Sequence, residues 1–146
     1  METLFQAIDI SGVIQLAVAP VFLLAGISGT LMVISSRLGR IIDRGRYLKE
    51  LCQSIDSENK DQCLEELECL KVRARYTNWA IFLCTSCALL VSLVIVMLFL
   101  SALFNFDVEV LIASLFVVAM LCLIISFILF LREVRLSTSA FRFTTD

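Results

Sequence analysis

The sequence contains no histidine and only one proline, and large parts of it carry no charge. Without histidine, the chain lacks the commonest general base and the commonest transition-metal ligand of proteins. Residues 10–36, 76–106 and 110–131 contain no Asp, Glu, Lys or Arg and make up more than half of the 146 residues. A soluble fold of this size cannot bury three such stretches, so an ordinary soluble domain is excluded, as is a large soluble catalytic domain.

The three uncharged stretches are long enough to cross a membrane as helices, because a hydrocarbon core of about 30 Å needs ~20 apolar residues. They lack the period-two alternation of transmembrane strands. We therefore expect an all-α membrane protein with three transmembrane helices and an antiparallel helical hairpin between the first and the second. The expected segments are a periplasmic N-terminal segment (1–9), the first transmembrane helix (10–36), the cytoplasmic hairpin (37–75), the second transmembrane helix (76–104), a periplasmic turn (105–109), the third transmembrane helix (110–131) and a cytoplasmic tail (132–146).

The orientation follows from the basic residues, because all twelve lie in the first connection or in the C-terminal tail. The positive-inside rule then places the N-terminus outside and the C-terminus inside. The first apolar stretch has no basic residues before it and is too long for a signal peptide, so we expect it to be retained. Three of the six cysteines, at positions 52, 63 and 69, would then be cytoplasmic, and the other three lie within apolar helices. Disulfides are therefore not expected.

The cytoplasmic segment has the spacing of a coiled coil. Apolar or small residues recur at steps of three and four on both sides of a turn signal at 54–59. We expect the first and second transmembrane helices to continue into the cytoplasm and to pack there as two antiparallel arms. The predicted seam consists of Leu38, Ile41, Gly45, Leu48, Cys52 and Ile55 on the outgoing arm, and of Cys63, Leu67, Leu70, Ala74 and Thr77 on the returning arm.

Charge along the hairpin is layered, with a basic region near the membrane and an acidic tip. The simplest interpretation is the positive-inside rule combined with a solvated tip. A second is a collar for anionic lipid, at roughly 1 kcal/mol per basic residue. A third connects the basic region with ion permeation, and local Arg–Asp pairs along the outgoing arm would be purely structural. The residues assigned to the lipid collar are Arg46, Lys49, Lys71, Arg73 and Arg75.

The first transmembrane helix differs from the other two because it and its extension hold all five glycines and Pro20, which should kink it and could act as a hinge. Helices associate in lipid through small residues, so we expect a homo-oligomer with first helices near its axis. Packing within one chain is the alternative, and Gln15 could instead bond the backbone freed by Pro20. The candidate pore lining, which would favour anions, consists of Ser11, Gln15, Phe22, Gly26, Gly29, Arg37, Arg40 and Arg44.

Other chemistry has little support. Cys84 and Cys87 form a C-x-x-C motif, but within an apolar helix and without a histidine it does not indicate catalysis or a metal site. No nucleotide-binding or metalloprotease motif is found, and the basic residues lie where a membrane surface requires them rather than in a nucleic-acid patch. We expect no enzyme, no cofactor, no metal and no nucleic-acid partner. The partners expected are the lipid bilayer, anionic lipids among them, and further copies of the chain.

Two segments carry a resemblance to a known family. The first reads A-P-V-F-L-L-A-G from Ala19 to Gly26, and the second is the R-L-x-R-I-x-D-R-x-R run from Arg37 to Arg46. Together with the entry into the second transmembrane helix at 75–81, they resemble an uncharacterised family of small bacterial three-span membrane proteins, a domain of unknown function. The resemblance implies a bacterial inner-membrane location and supplies no activity. Gly39 and Gly45 stand where such sequences commonly have alanine.

Two functions remain in view from the sequence. One is a homo-oligomeric, anion-leaning pore lined by the first helix. The other is a non-conducting membrane scaffold whose hairpin binds a partner protein or anionic lipid.

Overall fold

The computed structural model describes the backbone of residues 2–54, 60–104 and 109–142, and the side chains of residues 14–135 within those ranges except that of Gln62. These residues form three helices, α1 (Glu2–Ser54), α2 (Lys60–Phe104) and α3 (Glu109–Arg142). Each contains a segment long and apolar enough to cross a membrane: Ile14–Ser54, Cys63–Phe104 and Glu109–Arg135. The prediction of an all-α membrane protein with three membrane-spanning helices is confirmed to this extent.

The first two helices continue past the ends of their uncharged stretches, as the sequence predicted. α1 runs without interruption through Pro20 and across residues 36 and 37, and α2 runs across residues 75 and 76. The turn signal at 54–59 and Ile55 of the predicted seam lie outside the described residues, apart from Ser54 at the end of α1. The turn predicted at 105–109 is also not described, except for Glu109, which begins α3.

Buried residues recur along each helix at intervals of seven. Because seven residues make about two helical turns, such residues lie on one stripe of the helix. Most large apolar side chains away from these stripes are exposed, as lipid-facing side chains would be. The stripes include Pro20, Ile27, Ile34, Ile41 and Leu48 on α1, Cys63, Leu70, Thr77, Cys84 and Val91 on α2, and Ala119, Ser126 and Glu133 on α3.

The chain divides into two compact units. The first consists of Met1–Thr30 and Leu83–Ile124 and contains part of each helix. Its described core is built mostly from small or medium-sized apolar residues, which allow helix backbones to approach closely in the absence of a hydrophobic driving force. Its buried side chains are Ala17, Pro20, Ile27, Cys84, Cys87, Val91, Val94 and Ala119.

The second unit consists of Leu31–Phe82 and Ile125–Asp146 and contains the two hairpin arms and the end of α3. The arms pack through one apolar cluster, whose members all belong to the predicted seam: Ile41, Leu48, Cys52, Cys63 and Leu70, with Leu67 and Ala74 against them. The prediction that these residues pack together is confirmed. Coiled-coil supercoiling of the arms stays a prediction.

Cys52 and Cys63 form a disulfide between the two arms, with their Cα atoms 5.9 Å apart. The expectation that no disulfide forms is wrong for this pair. A reducing compartment predicts free thiols, whereas the three-four spacing of the seam brings two cysteines opposite each other at the end of the hairpin remote from the uncharged stretches. A Cα separation near 6 Å is the usual one for a disulfide.

Counting reactive thiols tests this pair. Under denaturing conditions and without reductant, a maleimide–polyethylene glycol tag should modify the four free cysteines, and after reduction all six. The double variant Cys52→Ser/Cys63→Ser should give four in both conditions, and Cys69→Ser should lower both counts by one. Loss of the crosslink should destabilise the hairpin by about 3 kcal/mol, which is the stabilisation expected from closing a short loop. Six tagged thiols before reduction, in acid-quenched samples, would contradict the pairing.

Candidate functional site

The candidate site lies in the second unit and is centred on Glu133 of α3. Glu133 occupies the buried stripe of α3, seven residues after Ser126. The Ser126 hydroxyl donates a 2.7 Å hydrogen bond to the backbone carbonyl of Ala80 on α2. Because α2 and α3 run antiparallel, seven residues further along α3 correspond to seven residues back along α2, which is Arg73. The helix register therefore brings Glu133 to Arg73.

The Glu133 carboxylate binds one arginine from each of the other two helices. Oε1 accepts a 3.0 Å hydrogen bond from Nη2 of Arg73, and Oε2 lies 3.6 Å from Nη1 of Arg37. The guanidinium of Arg37 also lies over the ring of Phe130, 5.3 Å from its centroid, in a cation–π contact. α1, α2 and α3 are thus connected at one point by charge.

Burial explains why the carboxylate needs both arginines. The Glu133 side chain is only 1% exposed, whereas Arg73 is 21% and Arg37 38% exposed. A carboxylate removed from water is costly unless cations and hydrogen bonds replace its hydration. The two guanidiniums provide this compensation, and the three side chains together retain one positive charge. Glu133 is therefore fixed in place, and it holds Arg37 and Arg73 in turn.

A cavity of about 330 Å³ opens beside this cluster. Four arginines line it, so its wall carries three more positive than negative charges. Arg40 forms no ion pair with any residue of the described ranges, and Nη2 of Arg44 lies 3.9 Å from Oε1 of Glu66. Both members of that last pair are exposed, so solvent screens the interaction and its contribution is below about 1 kcal/mol. The lining residues are Arg37, Arg40, Ile41, Arg44, Leu70, Arg73 and Glu133.

A second, more apolar groove of about 230 Å³ lies on the hairpin. Ile41, Leu67 and Leu70 contribute to its apolar part, and Arg46, Lys49 and Lys71 contribute its basic side chains. Three of the five residues predicted to form the lipid collar are therefore brought together here. Arg73 instead contacts Glu133, and Arg75 is exposed elsewhere on α2.

The predicted pore-lining residues are placed mainly on the outer surface of α1. Gln15, Phe22, Gly26 and Gly29 are exposed in the first unit, and Arg40 and Arg44 are exposed in the second. Arg37 differs because its guanidinium is bound to Glu133. The side chain of Ser11 lies outside the described residues. Within the described part of the chain, no group of three His, Cys, Asp or Glu side chains is arranged to hold a metal ion.

Sequence reasoning missed Glu133. The third uncharged stretch ends at residue 131, and the residues after it are predicted to form a cytoplasmic tail. The seven-residue spacing from Ala119 through Ser126 to Glu133 was the available signal, because it carries the buried face of α3 past the last apolar residue. A register argument would have paired Glu133 with Arg73.

Neutralising Glu133 should destabilise the second unit. Glu133→Gln keeps the side-chain shape but leaves two partly buried arginines without their counter-ion, which should lower the free energy of unfolding by roughly 3 kcal/mol. Glu66→Gln is the matched control and should cost below about 1 kcal/mol, because the Arg44–Glu66 pair is exposed. Denaturant unfolding in detergent micelles measures both. Equal losses for the two variants would show that burial of the Glu133 cluster contributes nothing special.

The chain was also compared with known proteins. No curated protein and no solved structure matches it significantly. Its residues 17–143 match a family described as "Protein of unknown function (DUF2721)". The matched range covers most of the chain and includes α2 and the whole arginine cluster with Glu133. This three-helix membrane protein is therefore a member of the DUF2721 family.

Proposed function

We propose that the protein is a homo-oligomer of the bacterial inner membrane, assembled through the outer face of α1, and that its α1 helices surround an anion-leaning pore. The outer face comprises Gln15, Phe22, Gly26 and Gly29. The proposal assigns the protein a transport role and no enzymatic activity.

The exposure of the outer face is the observation that carries the proposal. Its four residues are exposed, whereas Ala17, Pro20 and Ile27 on the opposite side of α1 are buried. Among the described residues, no atom beyond the local backbone lies within 4 Å of a Cβ built on Gly26 or Gly29. Packing against the described residues of the same chain therefore does not account for these glycines.

A second copy of α1 would account for both the glycines and the glutamine on this face. Small residues allow two helix backbones to approach closely, which is how helices gain contact energy in lipid. A polar amide within a membrane-spanning segment normally faces protein or water, and Gln15 is exposed with respect to the described residues of its own chain. The backbone carbonyl that Pro20 frees is the alternative partner for the Gln15 amide. Pro20 is buried whereas Gln15 is exposed, and this difference favours a partner outside the chain.

The pore would run along the outer face and continue toward the basic end of α1. Phe22 is 74% exposed and would form the narrow point. Arg40, two heptads after Gly26, would provide positive charge at the inner mouth and so favour anions. Arg37 is bound to Glu133 and has no place in this path, while Pro20 remains the proposed hinge.

The proposed orientation places the hairpin and the C-terminus in the cytoplasm. Its support is the distribution of basic residues. Trp79, exposed on α2 six residues after Arg73, would lie at the membrane–water boundary, where aromatic side chains are enriched on either side. Phe82 contacts it edge-to-face, with ring centroids 5.8 Å apart.

Accessibility of Cys69 tests the orientation. Cys69 is exposed on the hairpin, so a variant retaining it as the single cysteine should react with a membrane-impermeant maleimide in inverted vesicles and not in intact spheroplasts. Asn105→Cys in a cysteine-free background is the control and should react in the opposite preparation. The reverse pattern for the two sites would overturn the proposed orientation.

Bulky substitution of the glycines tests the assembly and the pore. Gly26→Leu/Gly29→Leu should leave a single chain folded, because the space beside both residues is open, but should hold copies apart. Gln15→Leu should weaken association by about 1–2 kcal/mol per lost polar contact, which is roughly tenfold in the dissociation constant. Photobleaching-step counts in liposomes measure the copy number. Val21→Leu, at an exposed position beside the outer face, is the matched control.

Planar-bilayer recording completes the test. The native protein should conduct anions, Phe22→Ala should raise the unitary conductance, and Arg40→Glu should shift the preference toward cations. An oligomer that gives no conductance would leave the non-conducting scaffold as the function. A monomer in lipid would remove both the assembly and the pore.

A further inference from the structure

We propose that the cavity lined by Arg37, Arg40, Arg44 and Arg73 is a binding site for a phosphate group, provided by the head group of an anionic phospholipid or by a soluble phosphate. The site lies within the second unit of one chain, so it does not depend on the oligomer or the pore proposed above.

The position of the cavity suits a lipid head group. Arg37 directly follows the first uncharged stretch, Glu133 comes just after the third, and Arg73 lies just before the second. The contacts among these three side chains therefore bring the charged ends of all three apolar stretches together at one level. If the apolar stretches occupy the hydrocarbon core, that level is the layer that contains lipid phosphates.

The residue type is as informative as the charge. All four basic residues that line this cavity are arginines, whereas the second groove on the hairpin has two lysines among its three basic residues. The planar guanidinium forms paired hydrogen bonds with two phosphate oxygens, while lysine acts as a point charge. The positive-inside rule is satisfied equally by lysine and arginine. It therefore does not account for an all-arginine lining.

Glu133 would act as a positioning residue for this site. Its carboxylate binds Arg37 and Arg73 from the buried side. Holding the two side chains in advance removes part of the entropy cost of ordering them around a ligand.

Size and charge both fit one phosphate-bearing group. The volume of about 330 Å³ is at the lower end of the range for ligand pockets, which suits a head group or a small anion. The lining has an excess of three positive charges, enough to balance a phosphodiester or a phosphate dianion. Arg44 could join the site because its contact with Glu66, at 3.9 Å between exposed groups, is weak.

Two double variants with the same change in charge test the site. Arg40→Gln/Arg44→Gln removes two charges from the cavity, and Arg46→Gln/Lys49→Gln removes two from the second groove on the same arm of α1. Native mass spectrometry of the full chain in detergent measures binding of phosphatidylglycerol, with zwitterionic phosphatidylcholine as the reference lipid. Thermal unfolding with added inorganic phosphate, compared with sulfate, measures binding of a soluble anion.

We expect the cavity variant to lose about tenfold in affinity for phosphatidylglycerol, and the groove variant to change less than twofold. Arg40→Lys/Arg44→Lys, which keeps the charge, should recover only part of the loss. Glu66→Gln should strengthen binding about twofold by releasing Arg44, a gain that unfolding could not produce. Stabilisation by inorganic phosphate, lost in the cavity variant, with no preference for phosphatidylglycerol would assign the same site to a soluble phosphate.

Equal losses in the two double variants would overturn the proposal, since they would show that only the overall basic charge matters. Equal affinity of the native chain for the two lipids, together with no specific stabilisation by inorganic phosphate, would overturn it as well.

Discussion

Burial of the Glu133 carboxylate is the constraint that connects all three helices in the second unit. Glu133 is almost fully removed from water, and burying a carboxylate there is costly unless arginines from α1 and α2 contact it. Those two contacts determine the register of α3 against α2 and of α1 against α3. The hydrogen bond from Ser126 to the carbonyl of Ala80 fits the same register two turns away, so polar contacts at two levels hold α3 in the second unit.

The seven-residue spacing explains why these contacts occur together. On α3 the buried stripe contains Ala119, Ser126 and Glu133, all small or polar, while the large apolar side chains of the helix are exposed or half-buried. In lipid, an apolar side chain gains little free energy when it moves from lipid contact to helix contact. Small and polar side chains therefore provide the specific contacts between helices. The arms of the hairpin lie beyond the uncharged stretches, and their seam is correspondingly apolar, with Ile41, Leu48 and Leu70 in one cluster. The same seven-residue spacing thus supports packing of small and polar residues along the uncharged stretches and packing of larger apolar residues in the hairpin.

Much of this fold could be predicted from residue patterns alone, because the absence of charge marks the spans and the three-four spacing marks the hairpin seam. The Cys52–Cys63 disulfide was not predicted, because the prediction used the reducing compartment and did not consider which cysteines face each other across the hairpin seam. Glu133 was not predicted, because the apolar stretch ends at Leu131, whereas the buried stripe of α3 continues to residue 133. The side-chain contacts of the arginines could not be predicted from the sequence, because the positive-inside rule only counts charges near a membrane boundary. The contact of Arg37 with Glu133 depends on how the helices pack.

The two sides of α1 have different requirements, and this difference connects the fold with assembly. The buried side is satisfied within the chain, by the hairpin cluster in one unit and by a core of small residues in the other. The outer face combines an amide with glycines that have open space beside their Cβ positions among the described residues, a combination that gains little from lipid. Apolar residues at those positions would have suited a helix that only anchors the chain. Helix propensity also disfavours glycine by about 1 kcal/mol relative to alanine, and the proposed assembly would offset this cost by bringing another backbone close to the face.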